Sequence, residues 1–371
     1  MMCRLGLQAA GTLLLCALAQ TTPAFSDNGV RVLHSPDSNY LLSWSQPGPV
    51  DVFVSARPMA KLSTMRLLAR QDRDLKLRVL IPDIKRPYFA LRADDGSIYR
   101  SAERLLPLEG GSNFRDLGGY PAANGKHVRW GLLYRSAAMP KLTEADDDYL
   151  SALGIKTIVD LRSVDERQLS PTDWRAKPNA KYIAVDYPGD VLFGRLRGYD
   201  GPAREQITER LYAEFPELLR QEYKAVFHVL LAHQVPVVIH CSAGQDRTGI
   251  AVGLILSALG TPRRVIYQDY LLSTEDRTPT NEVADVNLQD YAATNSEARF
   301  LIAYRNYVEK ARIADRSAPK TQPLMDSKGR PLLQDAFEQI EAQYGSVTNY
   351  LARELGVDAK DIEKLRALYL N

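Results

Sequence analysis

Cysteine is scarce in this sequence: only Cys3, Cys16 and Cys241 occur in 371 residues. The first two fall in an N-terminal stretch where Arg4 precedes an apolar run from Leu5 to Ala19, followed by Gln20-Thr21-Thr22-Pro23-Ala24-Phe25-Ser26. A basic residue, a short apolar run and a small-residue cleavage site form the pattern of an export signal. Residues 1–26 are read as that signal, with cleavage after Ala19 or Ala24 fitting best. The run is shorter than the ~20 apolar residues that a membrane-spanning helix needs. A lipid anchor on Cys16 would call for a small residue before it, where Leu15 stands. The remaining alternative is a buried N-terminal helix. Export predicts a periplasmic or secreted protein in which Cys241 is the one thiol left, which excludes an intramolecular disulfide even in an oxidising compartment.

Histidine is also sparse. His34, His127, His228, His233 and His240 show none of the short ligand spacings, and one cysteine cannot complete a zinc set, so neither a metal nor another cofactor is expected. Charge of one sign is lacking too: 47 basic and 45 acidic residues are interspersed, for a net charge of +2. Without a basic stripe, nucleic acid is excluded as the expected partner. Internal repeats and low-complexity tracts are missing. The remaining composition, 45% apolar and 25% charged, is that of an ordinary folded chain, long enough to favour two domains over one.

From Val30 to Leu108, short alternating runs (Val30–Leu33, Tyr40–Trp44, Val50–Ser55, Leu75–Ile81, Tyr88–Arg92) are separated by turn residues such as Pro47-Gly48-Pro49 and Asp94-Asp95-Gly96. They predict a small antiparallel β-sandwich over 27–108. After Glu109 the rhythm changes. A helix from Thr143 to Leu153, strands at Ile155–Leu161, Tyr182–Asp186 and Val235–Ile239, and a helix from Ile207 to Leu231 broken near Pro216 predict an α/β unit over 109–371. Beyond Pro262 the pattern is helical: Arg264–Ser273, Ser296–Ala314 and Leu332–Leu370, with a break at Tyr344-Gly345.

The chemistry concentrates in His240-Cys241-Ser242-Ala243-Gly244-Gln245-Asp246-Arg247-Thr248-Gly249, between the apolar strand ending at Ile239 and the apolar helix Ile250–Leu259. A tight loop feeding a helix N-terminus directs successive backbone N–H groups at an anion. Ser242, Ala243, Gly244, Gln245, Asp246 and Arg247 are the expected phosphate cradle. A cysteine at a helix start beside a cation is expected to ionise well below its ordinary ~8.5, which makes Cys241 the nucleophile. Arg247 offers a planar fork to two phosphate oxygens. Thr248 is expected to donate its hydroxyl to the sulfur, and His240 to fix the loop rather than exchange protons. For a lone cysteine, burial as a structural residue is the plain alternative; the neighbours of Cys241 outweigh it.

The segment His240 to Gly249 resembles the signature of the cysteine-based protein tyrosine phosphatases, and more narrowly of the bacterial tyrosine/serine phosphatases. Asn113-Phe114-Arg115-Asp116-Leu117-Gly118-Gly119, Gly131 to Ser136, Ile158 to Ser163 and Tyr344-Gly345-Ser346 extend the likeness from Asn113 to the C-terminus. The resemblance implies an α/β phosphatase fold with a mostly parallel central sheet, flanking helices and a helical lid, working without metal through a phosphocysteine intermediate. The implied substrate is protein phosphotyrosine, with dual specificity or a small phosphoester within range. The family usually has lysine where Gln245 stands, a residue associated with phosphoinositides, so its loss weakens that alternative.

A general acid must be a carboxyl near the cradle. Asp190 best matches the family's proposed acid, Asp246 lies in the cradle itself, and Asp186 is the third choice. For Asp246 the competing role is an anchor for the loop or for Arg247; for Asp190 it is an ordinary exposed loop acid. Arg115, Asp116, Arg135, Asp160 and Arg162 fit ion pairs at the sheet edge as well as substrate contact, while Tyr212, Phe215, Tyr267 and Tyr270 read as core. The rival functions are an inositol-phosphate or phosphoinositide phosphatase, a sulfurtransferase or arsenate reductase, and a catalytically inactive phosphate-binding module. The β-rich first segment is a further possibility for partner binding.

Overall fold

The computed structural model describes residues 29–35, 39–172, 180–192, 194, 201–314, 324–326 and 328–371, giving backbone alone for 201–207, 304 and 307–314. The expected export signal lies outside the described residues.

Alternation of apolar and polar residues builds the first sheets. In β2 (Asn39–Trp44) the inward side chains are Tyr40, Leu42 and Trp44, and in β1 (Val30–His34) they are Val30 and Val32. These two strands and β5 (Lys76–Leu80) form one antiparallel sheet in the order β1-β2-β5. A second antiparallel sheet, β4-β3-β6-β7, comprises β3 (Val50–Ser55), β4 (Arg66–Asp72), β6 (Tyr88–Ala93) and β7 (Ile98–Ala102). Val30, Leu42 and Trp44 of the first sheet meet Val52, Val54, Phe89 and Leu91 of the second in one buried cluster. The sequence pattern had picked five of these seven strands and missed β4 and β7.

The third sheet has the order β11-β10-β12-β9-β8, from β8 (Arg115–Asp116), β9 (Leu133–Ser136), β10 (Thr157–Asp160), β11 (Lys181–Ala184) and β12 (Val237–His240). β9 to β12 pair in parallel and only β8 runs against them. Their register aligns Ser136, His240 and Asp160 across the carboxyl ends of neighbouring strands. That edge is where α/β sheets place their ligands.

Helix α1 (Glu144–Ser151) follows β9 and α2 (Val164–Leu169) follows β10, each opened by a capping box, Thr143 with Asp146 and Ser163 with Glu166. Between β11 and β12, α3 (Gly201–Leu218) and α4 (Arg220–Leu231) make one bent helix. Their join falls at Leu219 rather than at Pro216, and hydrogen bonds continue through it, Leu219 to Phe215 and Tyr223 to Leu219 at 3.0 Å each. The helix after the cradle, α5 (Asp246–Leu259), is buried on nearly every face and ends at Gly260 in the left-handed conformation. Around the fold follow α6 (Arg263–Leu272), α7 (Leu288–Tyr291), α8 (Ser296–Ala314), α9 (Leu333–Tyr344), α10 (Val347–Glu354) and α11 (Ala359–Tyr369). The sequence anticipated the break at Gly345 between α9 and α10 but not a second one before α11.

Candidate active site

The loop leaving β12 is held from behind by its own carbonyl groups. The Ser242 carbonyl accepts from the Ala138 amide at 2.9 Å, and the Asn113 side-chain amide donates to the carbonyls of Ala243 at 3.0 Å and Gly244 at 2.9 Å. Arg135 Nη2 adds a bond of 2.6 Å to the Gly244 carbonyl. Turning these carbonyls outward turns the alternating amides inward, as an anion cradle requires. Gly244 makes the turn at φ +64°, and a Cβ there would stand 2.4 Å from the Ser136 carbonyl oxygen, so no other residue fits.

The residues behind the loop are themselves braced. Asn113 sits at φ +56° and its side-chain oxygen accepts from Arg115. Arg115 and Arg135 share the buried Asp269: Arg135 Nη1 reaches its carboxylate at 2.5 Å and Arg115 Nη2 its carbonyl at 2.9 Å. Tyr120 donates to the same carboxylate at 2.9 Å. The sequence left Arg115, Asp116, Arg135, Asp160 and Arg162 between ion pairing and substrate contact; all five are buried in ion pairs. Arg162 grips Asp160 through Nε at 2.9 Å and Nη2 at 2.7 Å, which anchors the end of β10.

Cys241 is buried at the head of the loop. Arg247, on the first turn of α5, returns to it, but the terminal edge of its guanidinium is taken: Nη1 and Nη2 each reach one oxygen of Glu166 at 2.6 Å. Nη1 also meets the Tyr187 hydroxyl at 3.0 Å. Of five N–H groups this leaves the Nε–Nη2 edge for two oxygens of a phosphate. Glu166 is fully engaged, since it also accepts from the Ser242 hydroxyl and from the Ser163 amide at 2.8 Å. Burial pushes its pKa up, yet the Arg247 charge and these hydrogen bonds outweigh that and hold it below the usual carboxylate range.

Sequence reasoning missed Glu166 as a site residue. Its visible signal, Ser163-x-x-Glu166, is a capping box, and that explanation suffices on its own until the fold sets α2 against α5. It also missed Tyr187, which donates to the Leu161 carbonyl at 2.7 Å, and Arg277, whose Nη1 donates to Gln245 at 2.5 Å while its Nε and Nη2 hold Glu282 at 2.9 and 2.6 Å.

The remaining expected residues stand as follows. Thr248 is fully buried, and its hydroxyl has no hydrogen-bond partner among the described residues, so the expected bond to sulfur is not formed in this arrangement. Asp246 accepts from Tyr212 and, at 3.3 Å, from the Gln245 side chain; it anchors Tyr212, not Arg247. Tyr212, read as core, is buried and also bonded to the Tyr270 hydroxyl at 2.6 Å. Asp190 is exposed on the turn Gly189–Val191 just after Tyr187, and Asp186 pairs with Arg167. The His240 ring lies with Nδ1 3.3 Å from the Cys241 carbonyl, in keeping with a structural part in the loop. Burial lowers its pKa to about 4 despite the facing Asp160 carboxylate, so the imidazole is neutral at neutral pH.

This arrangement, a buried cysteine and an arginine clamped on a backbone cradle, agrees with what the chain resembles. The family model described as tyrosine phosphatase family matches residues 106–371. A protein of Cupriavidus necator named as a tyrosine-protein phosphatase is 31% identical over 268 residues, covering 70% of this chain and 86% of that one. The triple specificity protein phosphatase PtpB of Mycobacterium tuberculosis is 29% identical over 296 residues, covering 72% of this chain and 99% of that one. A tyrosine-protein phosphatase of Nostoc commune is 27% identical over 261 residues, covering 66% and 76% respectively. The chain belongs to this bacterial tyrosine phosphatase family.

Proposed function

We propose that the protein hydrolyses phosphotyrosine in proteins through a phosphocysteine intermediate, with Cys241 as nucleophile. The observation that carries this is the outward engagement of the Ser242, Ala243 and Gly244 carbonyls around a buried cysteine, together with the Arg247 edge left open by Glu166. The Cys241 thiolate attacks phosphorus and the P–O bond to the phenol breaks, while a carboxylic acid gives its proton to the leaving oxygen. Water then attacks phosphorus, the P–S bond breaks, and phosphate and thiolate are restored. Asp190 is the better proton donor of the two first choices. It best matches the family's proposed acid and lies on the exposed turn Gly189–Val191 that follows Tyr187. Thr248 keeps an unused hydroxyl at the head of α5, available to the departing sulfur.

Export to the periplasm or beyond the cell belongs to the same proposal, supported by the Arg4 to Ser26 pattern. So do a division into 27–108 and 109–371, supported by a family match that begins at 106, and a lid formed by the helices after α6. The first segment is left available to bind a protein partner. One observation favours a second substrate class: Arg277 sits against Gln245, bringing a cation to the place where the family usually has lysine. Inositol phosphates and phosphoinositides are therefore the alternative substrates.

The test is burst kinetics of the mature protein on a chromogenic aryl phosphate, then a panel of phosphotyrosine, phosphoserine and inositol phosphate substrates. Cys241→Ser should abolish turnover and keep oxyanion binding. Normal turnover in that variant would refute the nucleophile assignment, and a preference for inositol phosphates would refute the substrate.

A further inference from the structure

One buried titratable group near the site has no use in this chemistry. Glu297 lies in the first turn of α8, is 6% exposed, and its Oε2 is shut from solvent with no hydrogen-bond partner among the described residues. The first turn of α8 is tied to the start of α2: the Ser296 amide donates to the Asp165 carboxylate at 3.1 Å, its hydroxyl bonds the same group, and the Asn295 side-chain amide reaches the Asp165 carbonyl at 2.9 Å. Ala298 packs with Leu169 of α2. Glu297 thereby lines, with Glu166, Ser242 and Glu282, a cavity of about 20 Å³. That is room for about one water molecule and no ion pair.

The charges facing Glu297 are Glu166 and Asp165 from α2, Arg162 from the turn before it, Arg247 from α5, and Glu282 across the cavity. Each cation is already matched, Arg247 by Glu166 and Arg162 by Asp160; the Glu282 carboxylate is matched by Arg277. A carboxyl shut from bulk water with no protein donor to its Oε2 among the described residues, facing further carboxylates, stays in place far more readily when neutral. Burial first, then Glu166, push its pKa well above the usual value, against the weaker pull of Arg247. Cys241 and Arg247 are 1% and 6% exposed, and α8 shares the lining of this cavity with Ser242 of the loop and with Glu166, the partner of Arg247.

We propose that seating α8 against the catalytic loop is proton-linked: Glu297 takes up one proton as the helix closes and releases it as the helix lifts. Because closure raises the affinity for that proton, the closed state is fully favoured below the ordinary glutamate value near 4.5 and weakens as pH rises. Each pH unit above that value, up to the closed-state value, tips the balance toward the open form by up to ~10-fold.

The experiment compares alkylation of Cys241 by iodoacetamide, followed by mass spectrometry, in the full-length wild type and in Glu297→Gln and Glu297→Leu from pH 5 to 8. Both variants keep the side chain neutral. The ratio of wild-type to variant rate should lie near unity at pH 5 and climb toward pH 8 by up to ~10-fold per pH unit. Hydrogen exchange of the α8 amides in the wild type alone, corrected for intrinsic rates, should speed up over the same range. A flat ratio, variants as reactive as wild type at pH 8, or pH-independent exchange overturns the proposal. Both readouts register helix opening rather than phosphate release, so they separate this proposal, which rests on the proposed function of the same loop, from that function itself.

Discussion

Replacing Glu166 tests how much of the alignment of Arg247 comes from a single carboxylate. Glu166→Ala removes both 2.6 Å partners of Arg247, an acceptor of the Ser242 hydroxyl and one of the Ser163 amide. Arg247 is left buried with an uncompensated charge, which costs about 3–5 kcal/mol. Against a total stability of about 5–15 kcal/mol that is a large share, and the Tm should fall on the order of 10 °C. Glu166→Gln keeps the volume and one oxygen but sets an amide N–H2 against an arginine N–H, so the stability loss is smaller while the guanidinium still loses its orientation. Both variants should lose about 10²–10³ in kcat, the size expected when a preorganised oxyanion stabiliser is displaced. Single-turnover kinetics well below each variant's Tm keep unfolding out of the comparison. The depressed pKa of Glu166 fixes the sign of the pH effect: its contribution is present above about 4.5 and is lost as pH falls through the lower folded value. A Glu166→Ala protein with wild-type Tm and a kcat within threefold would refute the reasoning.

Gly244→Ala combines a left-handed φ with a Cβ 2.4 Å from the Ser136 carbonyl oxygen; it should abolish turnover and oxyanion binding together, which calorimetric titration with inorganic phosphate would register. For His240, the folded pKa of about 4 lies below the ordinary 6.5, so the unfolded chain binds more protons between those values and stability declines as pH falls through that window. The decline should reach on the order of 3 kcal/mol by pH 4 and be absent in His240→Phe, as measured by urea denaturation across pH.

The loop and the helix after it were legible because they are contiguous: Cys241 to Gln245 is the turn, Asp246 to Thr248 the first turn of α5, and strand, glycine and helix pattern all agree around them. What supports the cradle was not legible, because it is assembled from distant segments. Asn113, Arg135 and Asp269 converge only when β8, β9 and α6 come together behind Gly244. Glu166 was hidden by its own local sufficiency as a capping residue. In the first sheets, Arg66–Asp72 lacks β-branched residues and does not alternate, so its strand character arises from pairing with β3, across register shifts and with the Gln71 amide held by Asp51 at 2.9 Å. The helical break before α11 follows from Asp358, whose side chain caps Asp361 and opens a new helix, a signal only four residues long.

Asp116 carries a consequence for how this chain tolerates change. Its buried carboxylate receives the amides of Gly118 at 2.8 Å and Gly131 at 2.9 Å, and its ion-pair partner among the described residues is Arg86, 3.2 Å away on the connection between β5 and β6. Arg104 adds bonds of 2.6 and 2.9 Å to the carbonyls of Asp116 and Gly118, and Trp130 reaches the Arg100 carbonyl at 3.2 Å. The seam between the leading strands and the phosphatase core is therefore welded by charge rather than greased by apolar contact alone. Shortening the chain from its front would strand an anion next to the segment that steadies Gly244, so any trimmed or grafted version has to bring a replacement guanidinium with it.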